Sequence, residues 1–200
     1  MKEELLRQAK YKELLKLIGS SEKLDDLEYK AYALQKSGQF EDAMQVWTQL
    51  IASDERASFY NERGVCKFNM RFKHTLDDFN KAISLEIENP YFWSCRAYVK
   101  DKLGDTEGAI QDYEQAHKLD PEDATILNNL GLAEQKLGYT QRSREFFKKS
   151  NELIGYKEEG LEEAVKQPDL SLKSRWREMK KMMSSWTEFE QFLKELVGRN

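Results

Sequence analysis

Side chains able to do covalent or acid–base chemistry are few in this chain: two histidines, His74 and His117, and two cysteines, Cys66 and Cys95. General acid–base or metal chemistry needs such groups to converge with carboxylates in one pocket. The cysteines do not form a closely spaced pair, which argues against a zinc site and against a disulfide framework. No GxxxxGK[ST] loop, HExxH helix, GxSxG elbow or GxGxxG turn occurs. Carboxylate pairs such as Asp25 with Asp26 and Asp77 with Asp78 fit solvated helix faces better than a catalytic dyad. The expectation is therefore no catalytic residue, no metal ligand and no cofactor. What remains is binding chemistry. Asparagine amides such as those of Asn61 and Asn128 donate and accept at once, which suits them to an extended peptide backbone, and tyrosines supply apolar area with a polar tip.

The elements that must position these groups are helices. The chain is 40% hydrophobic and 34% charged, enough to bury one extended core, and only three prolines and ten glycines interrupt 200 residues. Alternating β-branched runs are missing, so the class is all-α. A formal charge of −4 argues against nucleic acid as a partner. The opening MKEELLRQAKYKELLKLIG mixes charge with leucine and lacks the apolar run of a signal peptide or membrane span, so a cytoplasmic location is expected.

Compared with itself, the sequence matches at a shift of 34: Phe79, Tyr113 and Phe147 fall in step, as do Ala82, Ala116 and Ser150, and Leu85, Leu119 and Leu153. The sets stand three residues apart, the geometry of a stripe along one helix face. A second stripe lies upstream in each unit, pairing large with small: Tyr60 with Gly64, Trp93 with Ala97, Leu127 with Gly131. KLGD at Lys102 to Asp105 and KLGY at Lys136 to Tyr139 separate the stripes, and glycine there can take the positive φ that ends a helix. Each unit is thus helix, turn, helix. An earlier copy starts at Leu24, with Ala31, SGQF at Ser37 to Phe40, Ala43 and Trp47, and steps to the next by 32 rather than 34.

This pattern resembles the tetratricopeptide repeat, whose signature is aromatic, Leu-Gly, Tyr, Gly, Ala, aromatic, Ala, Pro. The best match is PYFWSCRAYVKDKLGDTEGAIQDYEQAHKLDP from Pro90 to Pro121, followed by TILNNLGLAEQKLG from Thr125. Met70 and Arg71 depart from it where the second unit should have its turn glycine, which suggests a turn tightened by a residue. Ile87 replaces the closing proline, and Ser143 with Arg144 the Ala-aliphatic pair of the fourth unit. The resemblance implies a right-handed superhelical solenoid of four units, about 24–56, 57–89, 90–123 and 124–155. Residues 1–23 are a worn N-terminal helical cap and 156–200 a C-terminal amphipathic extension.

In such a solenoid the first helix of each unit lines a concave groove. By family position the groove residues are Glu28, Tyr29 and Tyr32, then Asn61, Val65 and Phe68, then Ser94 and Tyr98, then Asn128, Asn129 and Leu132. The implied function is capture of a peptide or helix of another protein, in an adaptor, assembly or chaperone-like role. Members of the family that hold acidic chaperone tails do so with a Lys-and-Asn clamp. The corresponding places here hold Glu28 and Tyr32, or Asn61 and Val65, then Cys95, Thr125 and Asn129, so that clamp is missing.

The extension carries its own stripe: Leu172, Trp176, Met179, Met183, Trp186, Phe189, Leu193 and Leu196 at three- and four-residue spacing, with Ser185 and Glu188 fit for a capping box. Its basic face, from Lys173 through Lys181, most simply faces water, although membrane-surface helices share the pattern. Trp176, Met179, Met183, Trp186 and Phe189 are candidate docking residues for a homo-oligomer, the alternative function. A looser likeness of Phe40 to Asp105 to bacterial secretion chaperones is a further alternative.

Overall fold

The computed structural model describes residues 1–156; the extension, with Trp176, Met179, Met183, Trp186 and Phe189, lies outside the described residues. Within them the chain is helical throughout, in the order α1 (Lys2–Arg7), α2 (Tyr11–Ile18), α3 (Leu24–Lys36), α4 (Phe40–Ser53), α5 (Ala57–Asn69), α6 (Leu76–Leu85), α7 (Pro90–Lys102), α8 (Thr106–Leu119), α9 (Ala124–Lys136) and α10 (Thr140–Leu153). Each helix packs on its neighbour in sequence. In addition α5 touches α7 and α7 touches α9, so the first helices of successive hairpins form one inner row.

The hairpins α3–α4, α7–α8 and α9–α10 turn on Gly38, Gly104 and Gly138, at φ 82°, 96° and 84°. The amide of the residue just before the next helix reaches back to close each end: Gln39 N–H to Leu34 C=O, Asp105 to Lys100 and Tyr139 to Glu134, all at 2.9 Å. This is the Schellman arrangement, which satisfies carbonyls that a helix end leaves bare. The second hairpin closes the same way, Phe72 N–H to Lys67 C=O at 2.9 Å, with Arg71 taking the left-handed position at φ 56°. The turn is therefore not tightened as expected. The missing residue comes out of the following helix, for α6 has 10 residues where α4, α8 and α10 have 14. Its start is held by buried Thr75, whose hydroxyl donates to the Gly64 carbonyl at 3.1 Å.

Large and small residues meet as their spacing implies. A Cβ on Gly64 would stand 2.9 Å from Cε2 of Phe79, and one on Gly131 2.8 Å from Cε1 of Phe147, so hydrogen is required for the helices to lie so close. Trp47, fully buried, anchors the first hairpin, edge-on to Tyr32 at 4.8 Å and tilted against Phe59 at 5.6 Å. Leu14 and Ile18 of α2 pack with Leu5, Leu6, Tyr29 and Ala33.

A polar device repeats too. Arg63 of α5 forks onto buried Asp78 of α6 at 2.9 Å through both Nε and Nη2, with Lys67 also at 2.9 Å. Arg96 does the same to Asp112 at 2.7 Å, with Lys100 at 2.9 Å. Each arginine also reaches the preceding hairpin: Arg63 Nη1 donates to Thr48 Oγ1 at 3.4 Å and Arg96 Nη1 to Asn80 Oδ1 at 2.8 Å. In the last hairpin Leu130 occupies the arginine's place. Arg142 of α10 supplies the backward contact instead, to Glu114 at 2.8 Å. Every hairpin junction from α4 onward thus has one guanidinium pinned across it.

Candidate functional site

The inner row α3, α5, α7 and α9 carries all the expected groove residues, but not all to one use. Tyr98 and Leu132 are about half exposed, at 48% and 50%, and hold equivalent places in α7 and α9. Phe68 of α5 meets Tyr98 edge-on at 6.3 Å. Val65, Ser94 and Asn129 are half-buried beside them and Asn128 is exposed. Lys102 Nζ lies 5.2 Å from the centre of the Tyr98 ring, and Lys136 Nζ donates to Asp101 at 2.8 Å. α5, α7 and α9 therefore present an aromatic and aliphatic stripe, flanked by amides and by lysines at the helix C-termini.

At the other end of the row the expectation needs correction. Tyr29 is drawn into the packing of α1 and α2 against α3, and Tyr32 against Trp47. Glu28 faces Arg56 at 3.4 Å. Asn61 is fully buried, so its amide is not offered on the surface. Tertiary neighbours decide this, because α2 and α7 cover positions that helical spacing alone leaves open.

Around Asn61 lies a polar cluster that the spacing did not single out. Glu62, 9% exposed, accepts from Gln35 Nε2 of α3 at 2.6 Å and from Asn61 Nδ2 at 3.2 Å. Gln35 is itself fixed, its Oε1 accepting from Trp47 Nε1 at 2.9 Å and from the Cys66 thiol at 3.2 Å. Burial, and beyond it the Glu62 charge, pushes the Tyr32 phenol and the Cys66 thiol up to about 12. Burial likewise takes Cys95 to about 11. Both thiols are thus protonated at neutral pH and poor nucleophiles. A glutamate within an otherwise groove-facing run was the available signal; that it would be buried depended on Gln35, 27 residues earlier.

His74 sits in the α5–α6 loop and His117 half-buried in α8, on separate hairpins. Among the described residues no group of three or more His, Cys, Asp or Glu is placed to hold a metal ion. None of the described helices is long and apolar enough to cross a membrane.

The helical hairpins, their glycine turns and the inner row agree with comparison to known proteins. A TPR repeat model matches residues 101–138, and a tetratricopeptide repeat model matches 124–155. Residues 101–155 are tetratricopeptide repeats. Relatives of the chain include the tetratricopeptide repeat protein 36 homolog of Drosophila melanogaster, 33% identical over 100 residues, covering 47% of this chain and 54% of the relative. The TPR repeat-containing protein MJ1428 of Methanocaldococcus jannaschii is 26% identical over 132 residues, covering 65% of this chain and 23% of the relative. The chain thus spans about half or less of the curated relatives it matches. Among solved structures, MamA from residue 41 onward of Desulfovibrio magneticus RS-1 superposes with a TM-score of 0.66 at 17% identity, over 78% of this chain and 93% of that one. Another MamA crystal structure gives 0.61 at 23% identity, over 72% and 85%. These likenesses establish the fold: an all-α solenoid of the tetratricopeptide-repeat kind.

Proposed function

We propose that the inner face of α5, α7 and α9 binds a linear or helical segment of a partner protein, and that the chain works as an adaptor or assembly factor rather than as a catalyst. The observation that carries this reading is the stripe Phe68, Tyr98 and Leu132. These large apolar side chains stand on the inner row, are not consumed by the core, and are flanked by Asn128, Asn129 and Ser94, which can hold a backbone. Aromatic anchors of this kind commonly dominate the energy of a protein contact.

The test is selection of 12-residue peptides on the full chain by phage display, followed by affinity measurement on a Tyr98→Ala/Leu132→Ala variant. Loss of two half-exposed apolar anchors is expected to weaken the selected peptides by about tenfold or more, roughly 1.4 kcal/mol, with helicity unchanged. Equal affinity for the variant would reject the inner face as the binding surface.

A further inference from the structure

Leu85 to Pro90, the end of α6 and the link to α7, line an open depression of about 620 Å³. Leu85 and Ile87 are 39% and 63% exposed there, and Ile87 stands where the repeat pattern closes on proline. The link is nevertheless held firmly. Trp93 Nε1 donates to the Ile87 carbonyl at 2.7 Å, Asn89 Nδ2 to Glu86 Oε2 at 3.0 Å, and the Tyr91 amide to Asn89 Oδ1 at 3.1 Å, which caps α7. Two large aliphatic side chains are thus presented to solvent on a backbone that a ligand need not order.

Because successive helices pack as hairpins, the links α4–α5, α6–α7 and α8–α9 lie at one end of the stack. That end is acidic. In the α4–α5 link the charges are answered, Asp54 by Arg56 at 2.7 Å and Glu55 by Lys81 of α6 at 3.0 Å. Glu86 and Glu88, which line the depression, have no basic partner among the described residues, nor have Asp120, Glu122 and Asp123 of the α8–α9 link. The closing turns of α4 and α6 hold no basic residue, and that of α8 holds His117 and Lys118. Exposed aliphatic surface and unanswered negative charge therefore coincide at Leu85 to Pro90. Apolar contact gives adhesion whatever the sign of the ligand, so charge does the selecting: an acidic segment is repelled and a basic one drawn in.

We infer that this depression docks a short segment of a partner protein in which leucine-like side chains adjoin lysine or arginine. The aliphatic groups sit over Leu85, Ile87 and Pro90, and the cations lie against Glu86 and Glu88. The surface uses none of Phe68, Tyr98 and Leu132, so it stands or falls independently of the inner face.

The test uses nitrogen-15-labelled full chain at low salt, titrated with the capped tetrapeptide acetyl-Lys-Leu-Leu-Arg-amide. The backbone amides of Glu86, Ile87, Glu88 and Asn89 are expected to shift saturably at peptide concentrations on the order of millimolar. Acetyl-Glu-Leu-Leu-Glu-amide and acetyl-Lys-Ser-Ser-Arg-amide should bind at least about tenfold more weakly. Glu86→Gln/Glu88→Gln should remove the preference for the basic peptide, and Ile87→Ser the preference for leucine; these positions are exposed, and helicity should not change. No saturable shift at these amides, equal binding of the acidic peptide, or preferences undiminished in the variants overturns the proposal. Shifts centred instead on the Tyr98 and Leu132 amides would hand the peptide to the inner face and likewise remove this surface. Shifts at Glu86 to Asn89 that grow with protein concentration in the absence of peptide would give the depression to a second copy and reject the partner segment.

Discussion

Glu134 is the most misplaced side chain in the repeats, and replacing it with leucine should stabilise the protein. It is fully buried between α9 and α10. Arg142 Nη2 stands 3.0 Å from its Oε1, but neither carboxylate oxygen receives a well-aimed hydrogen bond. The corresponding place in the first hairpin, also four residues before the turn glycine, is Leu34, 7% exposed within the core cluster. The fold therefore has a proven way to fill this site with an aliphatic side chain. Exchanging a poorly satisfied buried ion pair for hydrophobic packing is worth about 1–4 kcal/mol, and Arg142 retains Glu114 at the surface. A net gain of about 1–3 kcal/mol is expected for Glu134→Leu, which for a chain of this size lifts the melting temperature by roughly 2–4 °C per kcal/mol. The effect has a pH signature. Burial raises the Glu134 pKa above its ordinary value, Arg142 opposing and Glu114 assisting. The folded state consequently binds this proton more tightly than the unfolded one, and the native protein gains stability as pH falls through the raised value toward the unfolded value of about 4.3. The advantage of leucine is thus largest at neutral pH and shrinks on acidification. Thermal unfolding of the full chain, with hydrogen exchange of α9 and α10 amides as the local readout, measures both. A variant less stable than the native chain at pH 7, or an advantage that is constant with pH, refutes the reasoning.

Asp78 should behave with the opposite sign. Burial alone would raise its carboxyl, but the hydrogen bonds from Arg63 and Lys67 outweigh it and hold the pKa below the ordinary value. Its contribution is present above the unfolded pKa of about 3.9 and is lost as pH falls through the lowered folded value. Asp78→Ala should cost about 3 kcal/mol at pH 7, near the low end for a broken buried pair because Arg63 and Lys67 keep some access to water. Denaturant titrations that show the gap closing only in strong acid would support this; a loss below about 1 kcal/mol would not. Gly131→Ala places a methyl against the Phe147 ring, at 2.8 and 2.9 Å. Overpacking of about 1–3 kcal/mol less a helix-propensity gain of about 1 predicts a net loss of up to about 2 kcal/mol. Adding Phe147→Leu should relieve part of that loss, and a double-variant cycle with purely additive effects would rule out the steric cause.

Much of this was legible from spacing. Phe79, Tyr113 and Phe147 set the period, Gly38, Gly104 and Gly138 set the turns, and Gly64 and Gly131 marked where helices must touch. These signals are local or strictly periodic, so one sequence suffices. The second hairpin was misjudged because Arg71 adopts the glycine conformation unaided and the lost residue is taken from the start of α6. At the candidate site Tyr98 and Leu132 are half exposed on inner helices, as helical spacing alone implies. Asn61, Tyr29 and Tyr32 are instead drawn into the packing, Tyr29 by α2 and Tyr32 by Trp47 of α4. The Glu62 cluster was invisible for the same reason: its meaning lies in Gln35 and Trp47, on two other helices.

The guanidinium pins across the junctions carry a mechanical consequence. Arg63 and Arg96 are largely sheltered, their side chains 17% and 16% exposed, whereas Arg142 and Glu114 are 51% and 48% exposed. Salt screens exposed charges far more than sheltered ones. The stack of hairpins is therefore not a uniform spring. At the α4–α5 and α6–α7 junctions the guanidinium donates to neutral Thr48 and Asn80, whereas the α8–α10 junction is closed by an exposed charge pair, so added salt makes the last junction the compliant one. A ligand that grips α9 together with α7 would bridge the compliant joint and splint it, so that rigidity along the array becomes a property of the bound state.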